Sequence, residues 1–173
     1  MKSVDDRFPL SPSSMPRLFL TFLILLTGLA SACGLNESER AVADTNEAIR
    51  AVEQAGRTVA DAIHALPESG LNHDSFGALR AAIGQYMGRM ETLNDAVRDL
   101  RPHFERLVPH IDETFRPAAE AAASACQEAT GILENPAADA DAYRRAITRI
   151  GLCMDRYATA VTNVSNEYRR GSR

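Results

Sequence analysis

Tryptophan is absent from this 173-residue chain, aromatic residues make up only 6%, and lysine occurs once, at Lys2. Every other basic side chain is arginine. Together with the abundance of alanine, this reads as the composition of a GC-rich genome rather than a selected role. The net charge is −4 and is spread evenly. The missing basic patch removes the electrostatic footprint of nucleic-acid binding and of a polybasic attachment to anionic lipid. Also missing are G-x-S-x-G, a glycine-rich phosphate loop, H-E-x-x-H, C-x-x-C and C-x-x-C-H. Their absence takes away the usual signatures of serine hydrolases, nucleotide binding, zinc proteolysis, thiol exchange and covalent haem. Ser124 and Ser165 have no evident base nearby in the sequence. The chain is therefore expected not to be an enzyme and to need no cofactor.

What is present begins with one uncharged run, Leu18-Phe19-Leu20-Thr21-Phe22-Leu23-Ile24-Leu25-Leu26-Thr27-Gly28, behind Arg17 and ahead of Leu29-Ala30-Ser31-Ala32-Cys33. A basic residue, an apolar stretch of about a dozen residues and then small residues make a secretory signal. With a cysteine directly after it, the segment at residues 15–34 resembles the lipobox of bacterial lipoproteins. That resemblance implies removal of residues 1–32 as a signal peptide, diacylglycerol on the Cys33 sulfur, and fatty acylation (palmitate) of the new amino terminus. Gly34 rather than Asp after the cysteine implies sorting to the outer membrane, on the inner leaflet facing the periplasm. Two other readings stay open. Ala30-Ser31-Ala32 is also an A-x-A site for ordinary signal peptidase, which would release a soluble protein. An uncleaved anchor is the third, although spanning needs about 20 apolar residues and this run is shorter. Asp5 and Asp6 are out of place in a normally basic leader, so translation is expected to begin at Met15.

After a short tether at residues 33–36, residues 37–171 read as a single helical domain. Asn36 and Glu39 have the spacing of a capping box. From there to about Leu66, Val42, Ile49, Gly56 and Ile63 form one heptad row and Thr45, Val52, Val59 and Leu66 another. Ala41, Ala48, Ala55 and Ala62 recur beside them and allow a neighbouring helix to come close. Pro67-Glu68-Ser69-Gly70 ends this helix. A stronger stripe follows Asn72-His73-Asp74: Phe76, Leu79, Ile83, Tyr86, Met90, Leu93, Val97, Leu100, Phe104, Leu107 and Ile111, alternating three and four. Such a stripe reads as core and predicts left-handed supercoiling. Ala118 to Leu133 is a third helical stretch, ended by Asn135-Pro136. A last helix, capped by Asp139 or Asp141, carries Tyr143, Ile147, Ile150, Met154, Tyr157, Val161, Val164 and Tyr168 on its inner face, with Gly171 as its stop.

The fold expected is all-α: an antiparallel bundle of four helices near 37–66, 73–101, 103–134 and 139–170. Pro102, Pro109 and Pro117 leave a second layout open, three helices with a long kinked one in the middle. A straight helix from 75 to 133 would be about 90 Å long, twice its neighbours, so at least one real break or kink is expected.

Two cysteines remain beyond Cys33. In an oxidising compartment Cys126 and Cys153 read as a disulfide between the last two helices, closing about 26 residues and worth roughly 3 kcal/mol. A redox pair is the other reading of the same residues. The local repeat Pro102-His103-Phe104-Glu105 and Pro109-His110-Ile111-Asp112 offers His103 and His110 as weak metal candidates, with Asp99 and Glu113 as nearby carboxylates. Two helical turns separate these histidines, about 10 Å, too far for one ion without a bend. They read first as partly exposed residues beside helix-bending prolines. Met87, Met90 and Met154 are available to a haem, but core methionines ordinarily fill gaps. The functional expectation is a lipid-anchored envelope protein acting through protein partners. The alternative is a periplasmic ligand- or metal-binding bundle using His103 and His110.

Overall fold

A computed structural model describes residues 36–67 and 71–170. The signal peptide, the start at Met15, Cys33 with its tether to Leu35, residues 68–70 and the stop at Gly171 lie outside the described residues.

Asn36 opens α1 (Glu37–His64) as the sequence predicts: its Oδ1 accepts from Glu39 N at 2.9 Å while its own N–H donates to Glu39 Oε2 at 3.0 Å. These two bonds satisfy amides that the first turn leaves without partners. Asn72 caps a 3-10 turn, His73–Phe76, that leads directly into α2 (Gly77–Asp99). The chain then breaks. Phe104 has φ −139° and ψ 76°, and Pro102 sits in the turn just before it. Helix resumes as a 3-10 turn at Glu105–Leu107, a single α turn α3 (Val108–His110), a π turn at Ile111–Phe115, and α4 (Arg116–Glu134). Asp139 caps α5 (Ala140–Arg170) by accepting from Ala142 N at 2.6 Å, and Asp141 instead pairs with Arg144.

The four long helices form the expected all-α bundle, with no strand among the described residues. The break at Leu100–Phe104 decides between the two layouts, because it separates α2 from the turns that lead into α4. Helix α1 packs chiefly on α2 and α4 chiefly on α5, and α2 against α4 joins the two hairpins. The stripe from Phe76 to Leu100, with Leu107 and Ile111, is buried throughout. It continues through Phe115, Ala119, Ala122, Cys126, Ala129 and Leu133, where alanine replaces larger side chains along the α4–α5 seam. Gly56 on α1 faces Tyr86 and Met154, and a Cβ there would stand 3.3 Å from Met154 Cε. No described helix is long and apolar enough to cross a membrane.

Thr45 is the one buried polar residue of the core among those described. Its hydroxyl lies 2.8 Å from Ala41 O in its own helix and 3.2 Å from Ala96 O of α2. Tyr157, fully buried, donates to Asn94 Oδ1 at 2.9 Å. Every buried side-chain nitrogen and oxygen of the described residues has a hydrogen-bond partner. The interior is an apolar core with its few polar atoms satisfied, as stability alone would demand.

Candidate functional site

At one end of the bundle the chain break gathers several polar side chains. Arg101 bridges the break to Asp112 at 2.9 Å, Arg106 donates to Tyr168 O at 3.3 Å, and Phe104 meets Tyr168 edge to face at 5.2 Å. His110 Nε2 lies 3.8 Å from Glu167 of α5, not beside Glu113, and Glu167 is also paired with Arg170. His103 turns its ring toward Phe104, with no bond to Asp99. The repeat therefore does not converge. Its two histidines point at different neighbours, and no three or more His, Cys, Asp or Glu among the described residues are grouped to hold a metal. Met90 is buried in the core and Met154 packs on Gly56, both as filling.

The opposite end is tied by Arg80. Its Nη1 donates to Leu133 O at 3.0 Å and to His73 O at 3.3 Å, and sits 3.1 Å from His73 Nδ1. This places a cation at the carboxyl end of α4, where helix carbonyls lack partners and the dipole is negative. Tyr143 adds a bond to Asn135 O at 2.8 Å and stacks obliquely on Phe76 at 4.6 Å. These contacts close the hairpin ends. His64 is exposed at the end of α1 and takes no part.

The predicted Cys126–Cys153 bridge is not formed in this structure: both cysteines are free, buried thiols. The register of the α4–α5 hairpin does carry them to the same seam. Burial and the neighbouring Cys153 push the Cys126 thiol up to about 11, and burial raises Cys153 against the opposing pull of Arg149 and Arg156. Alanines on both helices already bring the backbones together here, so the seam packs without a covalent staple. Held as neutral thiols, the two sulfurs are poor nucleophiles.

Beside Cys153, on the outer side of the seam, runs an open groove that the heptad pattern did not signal. Its floor is Ala118, Ala121, Ala122 and Ala125 of α4, and its wall is formed by Arg149, Leu152, Asp155 and Arg156 of α5. Leu152, 55% exposed, is the one large apolar side chain left in solvent among the described residues. The signal available in the sequence was its place off the row Ile147, Ile150, Met154, Tyr157. A leucine there has no core to enter. Arg149 at the groove's edge is paired with Glu128 at 2.6 Å, both half exposed. A second, more polar hollow lies between α1 and α2 and is bordered by Ala51, Ala55, Thr58 and Gly88.

Comparison with family models, with curated proteins and with solved structures gave no match to this chain.

Proposed function

We propose that this chain is a lipid-anchored protein of the bacterial cell envelope, held to the outer membrane through Cys33 and working by protein contacts rather than by catalysis. The observation that carries the reading is Cys33 itself, set behind the apolar run Leu18–Gly28 and the small residues Ala30-Ser31-Ala32. Gly34, where an Asp would favour retention in the inner membrane, directs the anchor to the periplasmic face of the outer membrane. Only Gly34 and Leu35 separate Cys33 from the cap at Asn36, so the body stands close to its leaflet.

The character of the folded body supports the same reading. Its core is filled by side chains that pack, its histidines point to separate neighbours, and its hollows are open surface grooves. These are features of a scaffold that presents surfaces. The Cys126–Cys153 disulfide belongs to this reading as well. In an oxidising envelope each thiol would lose a proton and the pair would pass two electrons to a donor disulfide, stapling α4 to α5.

The test is metabolic labelling with an alkyne fatty acid, followed by membrane fractionation and intact-mass measurement. Wild-type protein should carry label, sediment with the outer membrane and lack residues 1–32. Cys33→Ala should lose both label and sedimentation. Unlabelled protein beginning at Cys33 in the soluble periplasm would overturn the anchor. Alkylation of two thiols in the unreduced envelope protein would overturn the disulfide.

A further inference from the structure

We infer that the end of the bundle at the chain break is a membrane-contact surface, seated on zwitterionic phospholipid headgroups, with the helices standing up from the leaflet rather than lying along it. That seating rests on the anchor at Cys33 and names the surface the anchor brings to the membrane. Three residue steps separate Cys33 from Asn36, at most about 11 Å of extended chain. A headgroup layer is itself roughly 5–8 Å deep, so an acylated Cys33 holds the first turn of α1 against it.

What else comes to that level follows from the packing. The Thr45 hydroxyl lies 3.2 Å from Ala96 O, which fixes α1 against α2. Running back from Thr45 to Asn36 therefore runs forward from Ala96, past the end of α2 at Asp99, into the turn at Leu100–Phe104. Arg106 on Tyr168 O, and Phe104 edge to face on Tyr168, bring the carboxyl end of α5 to the same place. The hairpin ends tied by Arg80 and Tyr143 lie at the other end of the 28-residue α1, about 42 Å away.

Charge then chooses the kind of lipid. At the break end Arg98, Arg101 and Arg170 are paired with Asp95, Asp112 and Glu167. The same end carries Arg40, Arg106 and Arg169 together with Glu37, Glu39, Asp99 and Glu105, and Glu113 with Arg116 a little further in. Both signs are interspersed and nearly balanced. Arginines donate to phosphate and carboxylates accept from ammonium, so this surface matches a layer that holds both groups. A purely anionic layer attracts basic clusters, and here it would find as many carboxylates as arginines. Lying flat is disfavoured by α1 itself. Asp44, Glu47, Arg50, Arg57 and Asp61 occupy its exposed face, where a helix lying in the interface needs an apolar one. On α5 a single exposed leucine, Leu152, does not make such a face.

The test places photoreactive benzoylphenylalanine in the full chain in cells, one site at a time, at exposed positions 40 and 105 of the break end and 74 and 137 of the other. Intact mass then reads two things in one sample, the anchor and any further phospholipid joined by light. Acylated protein should gain a phospholipid at 40 and 105 with a yield roughly tenfold above that at 74 and 137, which stand about 40 Å clear of the headgroups. A flexible insert of about 20 Gly and Ser residues between Leu35 and Asn36, reaching about 25 Å, should bring the near-end yield down to the far-end level. In vesicles of phosphatidylethanolamine and phosphatidylcholine, adding phosphatidylglycerol or raising salt should leave the near-end yield unchanged. Acylated protein that gains no more phospholipid at 40 and 105 than at 74 and 137, a near-end yield that survives the insert, or a several-fold rise with phosphatidylglycerol would each overturn this seating and leave the anchor in place. Protein without acyl chains would overturn the anchor and the seating together.

Discussion

Gly84 and Gly88 sit in the middle of α2, one turn apart, on its exposed face. A methyl group at either position would meet nothing within 4 Å. Glycine in a helix interior is about 0.8–1.0 kcal/mol worse than alanine, because the unfolded backbone has more freedom to lose. With no clash to offset that gain, Gly84→Ala with Gly88→Ala should stabilise the fold by roughly 1.5–2 kcal/mol. Neither new methyl meets another side chain, so each position contributes its own backbone gain. For a body of this size the gain corresponds to about 6 °C in Tm. Gly56→Ala is the internal control. Its new methyl would press on Met154 Cε at 3.3 Å and touch Tyr86 at 3.6 Å, so the same propensity gain is spent on moving a methionine. Its Tm should change little. Thermal and urea unfolding by circular dichroism measure all three variants. A fall in Tm for the Gly84/Gly88 pair, or an equal rise at Gly56, would refute the reasoning, since it would mean that the outer face of α2 is covered or that the α1–α2–α5 packing is loose.

Tyr157→Phe keeps the buried ring against Phe115 but removes the hydroxyl bonded to Asn94, leaving that amide oxygen short of a donor. It should cost about 1–2 kcal/mol by urea unfolding, and Asn94→Ala should cost much less in the Tyr157→Phe background than in wild type. The alkaline limb of stability follows from the buried acids. The Cys126 thiol is raised to about 11, and burial holds the Tyr86 and Tyr157 hydroxyls above their ordinary value as well. A raised acid stabilises the fold below its unfolded pKa and loses that contribution as pH climbs to the folded one. Reduced protein should therefore lose stability from about pH 9 upward, with roughly 2–3 kcal/mol of the loss assigned to Cys126 by pH 11. Cys126→Ala should flatten that part of the curve. An unchanged slope would show that the thiol already ionises in the fold.

Much of the fold was legible because its determinants are local and periodic. The stripe from Phe76 to Leu100 needed only the three-and-four spacing of an amphipathic helix, and every member of it is buried. Asn36 with Glu39, and Asp139 ahead of α5, announced helix starts through side chains that reach amides two or three residues on. What was not legible depends on neighbours distant in sequence. Leu152 looks like any apolar helix residue until the hairpin shows that its face has no cover. His110 chooses Glu167, 57 residues away, over the nearer Glu113 only because α5 returns beside it. The same return sets Cys126 and Cys153 at one seam, yet a sequence says nothing of the redox state in which they are held.

The prolines show where local chemistry sets options and packing selects among them. Pro102 and Pro117 each lack an amide and crowd the carbonyl four residues back, so either one can end a helix. At Pro102 the helix does end: α2 stops at Asp99, and Phe104 takes dihedrals outside the helical region. At Pro117 it does not. The preceding turn widens instead, so that Arg116 N–H reaches Ile111 O, five residues back. That extra residue also settles the stripe. From Ile111 to Phe115 to Ala119 the apolar spacing is four and then four again, and each step of four over-rotates an α-helix by about 40°. Two such steps in a regular helix would swing Ala119 well off the core face. A turn that holds one more residue takes up the excess and returns Ala119, Ala122 and Cys126 to the interior, where all three are buried. The irregularity and the doubled four-residue spacing are thus one feature. Deleting a single residue from Ile111–Phe115 would not regularise the helix at no cost, because it would bring Pro117 into register with a carbonyl it cannot bond.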